Sequence, residues 1–110
     1  KKITRYTKPG VGRIKGNDKP EGTSWWPVKL QTLDSYGFNN VDFIKLDCDG
    51  YEEKILQGGE TTIMDNKPAI FCELQPTRCA SHDWLLDHGY KLMDTYFLND
   101  EPHDGLYLID

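Results

Sequence analysis

Acidic side chains stand at the ends of two strand-like runs, where an α/β sheet carries its chemistry. Residues 41–49 form an apolar run that contains Asp47 and ends in Asp49, and the run over residues 69–74 ends near Glu73. Runs of this kind are typical of buried parallel strands. Because ligands lie outside the carboxyl ends of the parallel strands in open sheets, we expect these three carboxylates beside a ligand.

A tight turn with an acidic residue connects the first of these strands to a helix. Gly50 makes the turn, and Glu52 falls in the first helical turn, where the positive end of the helix dipole favours an acid. We predict that Glu52 holds the turn and that Asp47 accepts backbone donors there. An alternative remains open, in which Asp49 and Glu52 cap the amino terminus of the helix and have no part in chemistry.

From residue 41 onward the pattern predicts the order β-α-β-α-β-β, which defines an α/β fold. The first strand is expected to be a central parallel strand, and Gly58 and Gly59 weaken the middle of the helix that follows it. The predicted elements are a strand over residues 28–32, a helical turn over residues 33–36 capped by Thr32 and ended by Gly37, a strand over residues 41–49, a helix over residues 51–64, a strand over residues 69–74, a helix from Ser81 to His88, a strand over residues 90–98, a turn over residues 99–104 and a closing strand over residues 105–109.

Residues 1–27 differ from the rest in composition and charge. Glycine and proline recur there, which leaves room only for short strands such as one over residues 3–6. The first 30 residues carry eight Lys or Arg against two acids, and the remainder carries five against sixteen. These cations are spread among glycines without helical spacing, so nucleic-acid binding is not favoured. We therefore divide the chain into a basic segment, residues 1–27, and an α/β unit, residues 28–110.

The composition, with 37% hydrophobic and 28% charged residues, is that of an ordinary soluble globular protein. No apolar run approaches the roughly 20 residues that a membrane span requires, and the chain begins without the apolar stretch of a signal peptide. Three cysteines, at positions 48, 72 and 79, form no CxxC pair, which argues against a disulfide framework. We predict a cytoplasmic location and no membrane partner.

The segment VDFIKLDCDGYE, residues 41–52, resembles the signature of the FkbM methyltransferases, an apolar strand followed by Lys-Ile-Asp-Val-Glu-Gly, a variable residue and Glu. Asp49 stands where the family usually has Glu, and Cys48 stands where it has Val. The resemblance continues through Gly58 and Gly59 into residues 68–73 and 85–90, and it includes residues 32–35 upstream.

The resemblance implies the C-terminal half of a Rossmann-like class I methyltransferase sheet, with parallel strands, an antiparallel C-terminal hairpin and helices on the faces. The reaction it implies is O-methyl transfer from S-adenosylmethionine to a hydroxyl of a sugar or another small metabolite. Methyl transfer is an in-line displacement, so the protein aligns the acceptor oxygen and accepts its proton. On this basis we assign Asp49 as the hydroxyl-orienting base and Glu73 as a second polar contact.

Two alternatives to this catalytic assignment follow from the sequence. Strand-end carboxylates are ligands for Mg²⁺, but no chelating Asn partner is evident, so no metal is expected. The only GxG, at residues 10–12, follows Lys8 and Pro9 instead of an apolar strand, so a glycine-rich cofactor motif is missing. The expectation is therefore a methyltransferase half that is inactive alone and either self-associates or requires a missing N-terminal half. The alternative is a non-catalytic α/β binding or assembly module.

Overall fold

The computed structural model describes residues 3–7, 14–15, 26–48, 50–74 and 79–110. Contacts divide the chain into two compact units, Lys1–Thr32 and Leu33–Asp110.

The first unit contains a three-stranded antiparallel sheet. Its strands are β1 (Ile3–Thr7), β2 (Ile14–Lys15) and β3 (Trp26–Leu30), in the order β2-β1-β3. The short strand predicted over residues 3–6 is confirmed. The strand predicted over residues 28–32 instead begins at Trp26 and ends at Leu30, because β3 pairs along the whole of β1.

The second unit has a mixed α/β fold built on a four-stranded sheet. Strands β4 and β5 are parallel, β7 runs antiparallel to both β5 and β6, and the strand order is β4-β5-β7-β6. The predicted α/β class and the antiparallel C-terminal hairpin are confirmed. The elements are a 3-10 turn (Asp34–Tyr36), β4 (Phe43–Leu46), α1 (Glu52–Gly58), α2 (Glu60–Asn66), β5 (Ala69–Glu73), α3 (Ala80–Asp87), β6 (Lys91–Leu98) and β7 (Glu101–Leu108).

Strand β4 lies at one end of this strand order, so among the described strands it is an edge strand and not the central strand that was predicted. It is also shorter than predicted, since it ends at Leu46. In the last hairpin, Asn99 and Asp100 both have positive φ values. Two such residues form the tight turn whose twist matches a hairpin, so β7 begins at Glu101 instead of residue 105.

The helix predicted over residues 51–64 is two helices with a break at Gly59. A Cβ atom at Gly59 would lie 2.7 Å from Leu33 Cδ2 and 3.1 Å from Leu33 Cβ, so Leu33 packs closely against this position and favours glycine here. Asp34 caps the second helix from outside: its Oδ1 accepts from the Thr62 N–H at 2.8 Å, and its Oδ2 accepts from the Thr61 N–H at 3.2 Å. The glycine break therefore begins a new helix.

Two predicted caps are also corrected. The N-cap of the 3-10 turn is Leu33 and not Thr32, although Gly37 ends the turn in the left-handed conformation that was predicted. The N-cap of α3 is Cys79, and Ser81 lies inside the helix, where it is buried.

The core lies between the three helices and one face of the four-stranded sheet. Alternate residues of neighbouring strands are buried on this face, because successive side chains of a strand point to opposite faces. The buried apolar residues are Leu46, Ile70, Cys72 and Tyr107 from the strands, Leu56, Ile63, Trp84 and Leu85 from the helices, and Tyr90 just before β6. In the part of the chain that the structure describes, no helix has the length and apolar character to cross a membrane.

Candidate functional site

A buried carboxylate holds the turn between β4 and α1. Glu52 is only 2% exposed. It accepts hydrogen bonds from the backbone N–H groups of Cys48 at 2.6 Å and Gly50 at 2.9 Å. Gly50 has a φ of 96°, a conformation that residues with a side chain rarely adopt. The N-cap of α1 is Tyr51, whose side chain makes no capping hydrogen bond. Gly50 and Glu52 thus meet the geometric needs of the turn.

Two of the predicted carboxylates come from adjacent strand ends. Asp47 follows β4 directly and is exposed, whereas Glu73 is the last residue of β5 and its Oε2 atom is buried. Because β4 and β5 run parallel and in register, their carboxyl ends reach the same edge of the sheet. Asp49, which was predicted to be the hydroxyl-orienting base, lies outside the described residues. The structure therefore brings Asp47, Glu73 and the Gly50 turn to one edge.

Strand β7 brings two more polar residues to this edge. It runs antiparallel to β5, so its first residues lie beside the end of β5, and Asp104 pairs with Glu73. The backbone N–H of Leu74 donates to the carbonyl oxygen of His103 at 2.8 Å. The His103 Nδ1 atom lies 2.6 Å from Asp104 Oδ2, and the two side chains are 42% and 20% exposed.

A β-bulge explains how two neighbours on one strand bring their side chains together. Tyr96 of β6 pairs with Asp104, but the next pair joins Phe97 to Pro102, so His103 is an extra residue on β7. In a regular strand adjacent side chains point to opposite faces, and a bulge redirects one of them. The imidazole can therefore reach the neighbouring carboxylate.

Carboxylates also determine the charge of the imidazole. The hydrogen bond to Asp104, together with the charge of that carboxylate, raises the pKa of His103 above its ordinary value of 6.5. Desolvation opposes this change, and the charges of Glu73 and Asp47 add smaller increases in the pKa. The edge therefore contains a proton acceptor that titrates above the range of an isolated histidine.

Sequence reasoning did not single out His103, because none of the three histidines has the spacing of a metal-binding motif such as HExxH. His88 is the C-cap residue of α3. His82 lies within α3, and its Nδ1 is 2.6 Å from the Tyr107 hydroxyl on the covered side of the sheet. A signal for His103 was present: a His-Asp pair near the start of the last strand lies beside Glu73 once that strand pairs antiparallel with β5.

The site provides carboxylate oxygens and one imidazole at the edge where the parallel strands end. Such groups suit the binding and deprotonation of a hydroxyl. Within the described residues, no three His, Cys, Asp or Glu side chains are arranged so that they could hold a metal ion.

Comparison with known proteins identifies the family. Residues 22–92 match the methyltransferase FkbM domain, a segment that includes β4, α1, α2, β5 and α3 and stops before His103. No curated protein and no solved structure matched the chain. The matched segment covers well over half of the 110 residues. With the strand-end carboxylates and the Gly50 turn inside the matched segment, this chain belongs to the methyltransferase FkbM domain family.

Proposed function

We propose that this chain forms the C-terminal half of an S-adenosylmethionine-dependent O-methyltransferase whose sheet is Rossmann-like. The observation that carries the proposal is the set of polar side chains at the carboxyl edge of β4 and β5 in a chain of the FkbM family. Family membership supports a methyl-transfer function, and the edge where the polar groups lie is the one that binds ligands in open α/β sheets.

The charge of this edge suits the reactive end of the cofactor. S-adenosylmethionine supplies an electrophilic methyl group on a sulfonium, which carries a positive charge. Asp47, Glu73 and Asp104 form an acidic edge around His103, and opposite charges attract across a few ångströms. Among the described residues, however, no strand, glycine-rich turn and helix follow one another in the way that would hold the methionine and ribose groups.

The cofactor-binding half is therefore proposed to come from a further segment, and without that segment the chain is proposed to self-associate. The free edge of β4 is the place where such strands would pair, because β4 is the end strand of the described sheet. On this proposal the 110-residue chain alone is inactive.

The proposed acceptor is a hydroxyl of a sugar or another small metabolite. Glu73 is the second polar contact to this hydroxyl, and Asp49 remains our predicted orienting base. Glu52 accepts hydrogen bonds from the backbone N–H groups of Cys48 and Gly50 in the turn after β4, and Asp47 is exposed at the same edge. We also propose a cytoplasmic location, which fits a small-metabolite substrate.

A non-catalytic α/β binding or assembly module is the second candidate. The observation that favours it is the lack, within the described residues, of a glycine-rich turn for a cofactor. Such a module would keep the sheet and the Glu52 turn but would not bind the cofactor in any assembly.

Calorimetric titration with S-adenosylhomocysteine separates these candidates. The 110-residue chain is expected to give no saturable binding, whereas the full-length protein that contains it is expected to bind at micromolar levels. Binding by the 110-residue chain itself would contradict the proposed incompleteness of the site. Absence of binding by the full-length protein would contradict the methyltransferase assignment and favour the module. Circular dichroism of each sample checks that it is folded.

A further inference from the structure

The His103–Asp104 pair forms outside the segment that matches the family, yet it lies at the edge where the family's strands end. Its two side chains are 2.6 Å apart and partly exposed. The imidazole bonds to the carboxylate through Nδ1. Within the described residues, no hydrogen bond is found at its second nitrogen, Nε2.

The geometry of the pair fixes the chemical roles of the two ring nitrogens. When Nδ1 donates to Asp104 Oδ2, the neutral ring carries its lone pair on Nε2, which is then a proton acceptor. A carboxylate that holds the other nitrogen also stabilises the imidazolium formed after proton uptake. The same arrangement of a histidine oriented by a carboxylate serves general-base catalysis on unrelated folds.

The bulge gives this arrangement a local structural basis. His103 is the residue without a pairing partner on β6, between the pairs Tyr96–Asp104 and Phe97–Pro102. Bulges are frequent next to active sites because they redirect a side chain. On the side of β7 that pairs with β5, the Leu74 N–H donates to the His103 carbonyl oxygen. This hydrogen bond fixes the backbone of the bulge to the end of β5.

Among the described residues, another histidine–carboxylate contact lies elsewhere and has a different character. His88 Nε2 is 3.5 Å from Glu60 Oε1, and the His88 ring stacks on Trp84 at 3.7 Å between centroids. Its Nδ1 is 2.7 Å from the Trp84 carbonyl oxygen. Both nitrogens of His88 are therefore engaged at the junction of two helices, which makes Glu60 a suitable control position.

We propose that His103 is the general base of the methyl transfer, held in place by Asp104. This inference rests on the proposed function. As the acceptor oxygen forms its bond to the methyl carbon, the carbon–sulfur bond breaks and the sulfur keeps the electron pair. The hydroxyl proton passes to His103 Nε2, and the resulting imidazolium later releases it to solvent. This assignment replaces Asp49 as the proton acceptor, and Glu73 orients the hydroxyl without taking its proton.

The charged groups near His103 determine the pKa that a titration of its imidazole would measure. They are Asp104 on its own strand, Glu73 at the end of β5 and Asp47 after β4. On the neighbouring strand β6, Tyr96 pairs with Asp104. A cationic ligand bound against this edge would disfavour the imidazolium, whereas a neutral ligand of the same shape would not.

The test is an NMR titration of the histidine ring protons in the full-length protein, with the His103 signal assigned by His103→Gln. The pKa of His103 is measured without ligand, with S-adenosylhomocysteine and with S-adenosylmethionine, which differ by one methyl group and one positive charge. We expect S-adenosylmethionine to lower this pKa by about half a pH unit or more relative to S-adenosylhomocysteine, because the sulfonium would lie within a few ångströms of the ring.

Two variants complete the test. Asp104→Asn should lower the pKa of His103 toward its ordinary value, while the matched change Glu60→Gln should leave it unaltered. If S-adenosylhomocysteine binds but the His103 pKa is the same with both ligands, the base assignment is wrong while the methyltransferase proposal stands. An unaltered His103 pKa in Asp104→Asn would also overturn it. If calorimetry detects no binding to the full-length protein, the proposed function fails, and the base assignment fails with it.

Discussion

The two faces of the four-stranded sheet are occupied very differently. On the helix-covered face, Ile70, Cys72 and Tyr107 are completely buried. On the opposite face, Phe43 is 51% exposed and Tyr96 is 45% exposed. The polar groups of the candidate site belong with this second face, because Glu73 and Asp104 alternate with the buried positions of their strands. The helix-covered face therefore contributes most of the buried apolar packing. The candidate site lies on the opposite face, where its side chains are more exposed.

The carboxylates on the two faces also differ in what they bind. On the helical side, Glu52 and Asp34 bind backbone N–H groups of the chain itself. At the strand-end edge, Asp104 binds a histidine that remains partly exposed. Carboxylates of the first kind hold the fold together, and those of the second kind are accessible to a ligand. The comparison can be tested by substitutions on each side.

The largest expected effect is on the buried apolar layer. Leu85→Ala, at a position with no exposure, should lower the free energy of unfolding by about 3 kcal/mol, because it leaves a cavity between α3 and the sheet. Leu108→Ala, at a 40% exposed position on the opposite face, should cost less than about 1 kcal/mol. Urea unfolding of both variants gives the two values. Equal losses would show that the two faces contribute alike and would break the comparison.

The next effect concerns the turn at the edge of the covered face. Glu52→Ala should destabilise the protein by about 2–3 kcal/mol, because the backbone N–H groups of Cys48 and Gly50 lose their acceptor in a buried place. Glu53→Ala, one residue later in the same helical turn, is the matched control and should change stability by less than about 0.5 kcal/mol. Thermal and urea unfolding measure both. A small loss for Glu52→Ala would mean that water replaces the carboxylate.

The smallest effect is also the one that depends on pH. Burial tends to raise the pKa of Asp34, but hydrogen bonds from Thr62 and Thr61 outweigh it and hold the pKa below the ordinary 3.8. Because the folded pKa is the lower one, the stabilisation is complete above the unfolded pKa and is lost as the pH falls through the folded pKa. Asp34→Asn keeps one acceptor oxygen but loses the other and the charge, so it should cost about 1 kcal/mol at neutral pH, as loss of a charge-assisted hydrogen bond does.

Urea unfolding of Asp34→Asn and the unchanged protein across pH 2–7 checks this prediction, since the difference between them should narrow below about pH 4. Asp65→Asn, a change at an exposed acid near the end of α2, is the control. A difference that stays constant with pH would mean that the Asp34 contribution does not depend on its charge.

The sequence predicted the elements of the second unit because their patterns are local. Alternating or apolar runs predicted β5 and β6. The apolar run over residues 41–49 predicted β4, and Gly37 marked the end of the 3-10 turn. The helix break at Gly59 was not predicted because Leu33, which packs against it, and Asp34, which caps the second helix, are distant in sequence. The start of β7 was missed because Asn99 and Asp100 form a two-residue turn without the usual glycine.

The candidate site was predictable in part for the same reason. Asp47, Glu73 and the turn made by Gly50 and Glu52 follow from strand ends, which a single sequence marks well. His103 depends on the register between β5 and β7 and on a bulge of one residue, and neither is visible before the strands are paired. Long-range register is thus what separated the predicted part of the site from the part that only the structure revealed.

The two-residue turn at Asn99 and Asp100 has a consequence for folding. It makes the β6–β7 hairpin the most local strand pairing of the second unit, whereas β4 and β5 meet only after two helices intervene. Local pairings close quickly, and parallel pairings across a long connection close slowly. We therefore expect His103 and Asp104 to come together before Glu73 and Asp47 join them in the complete sheet.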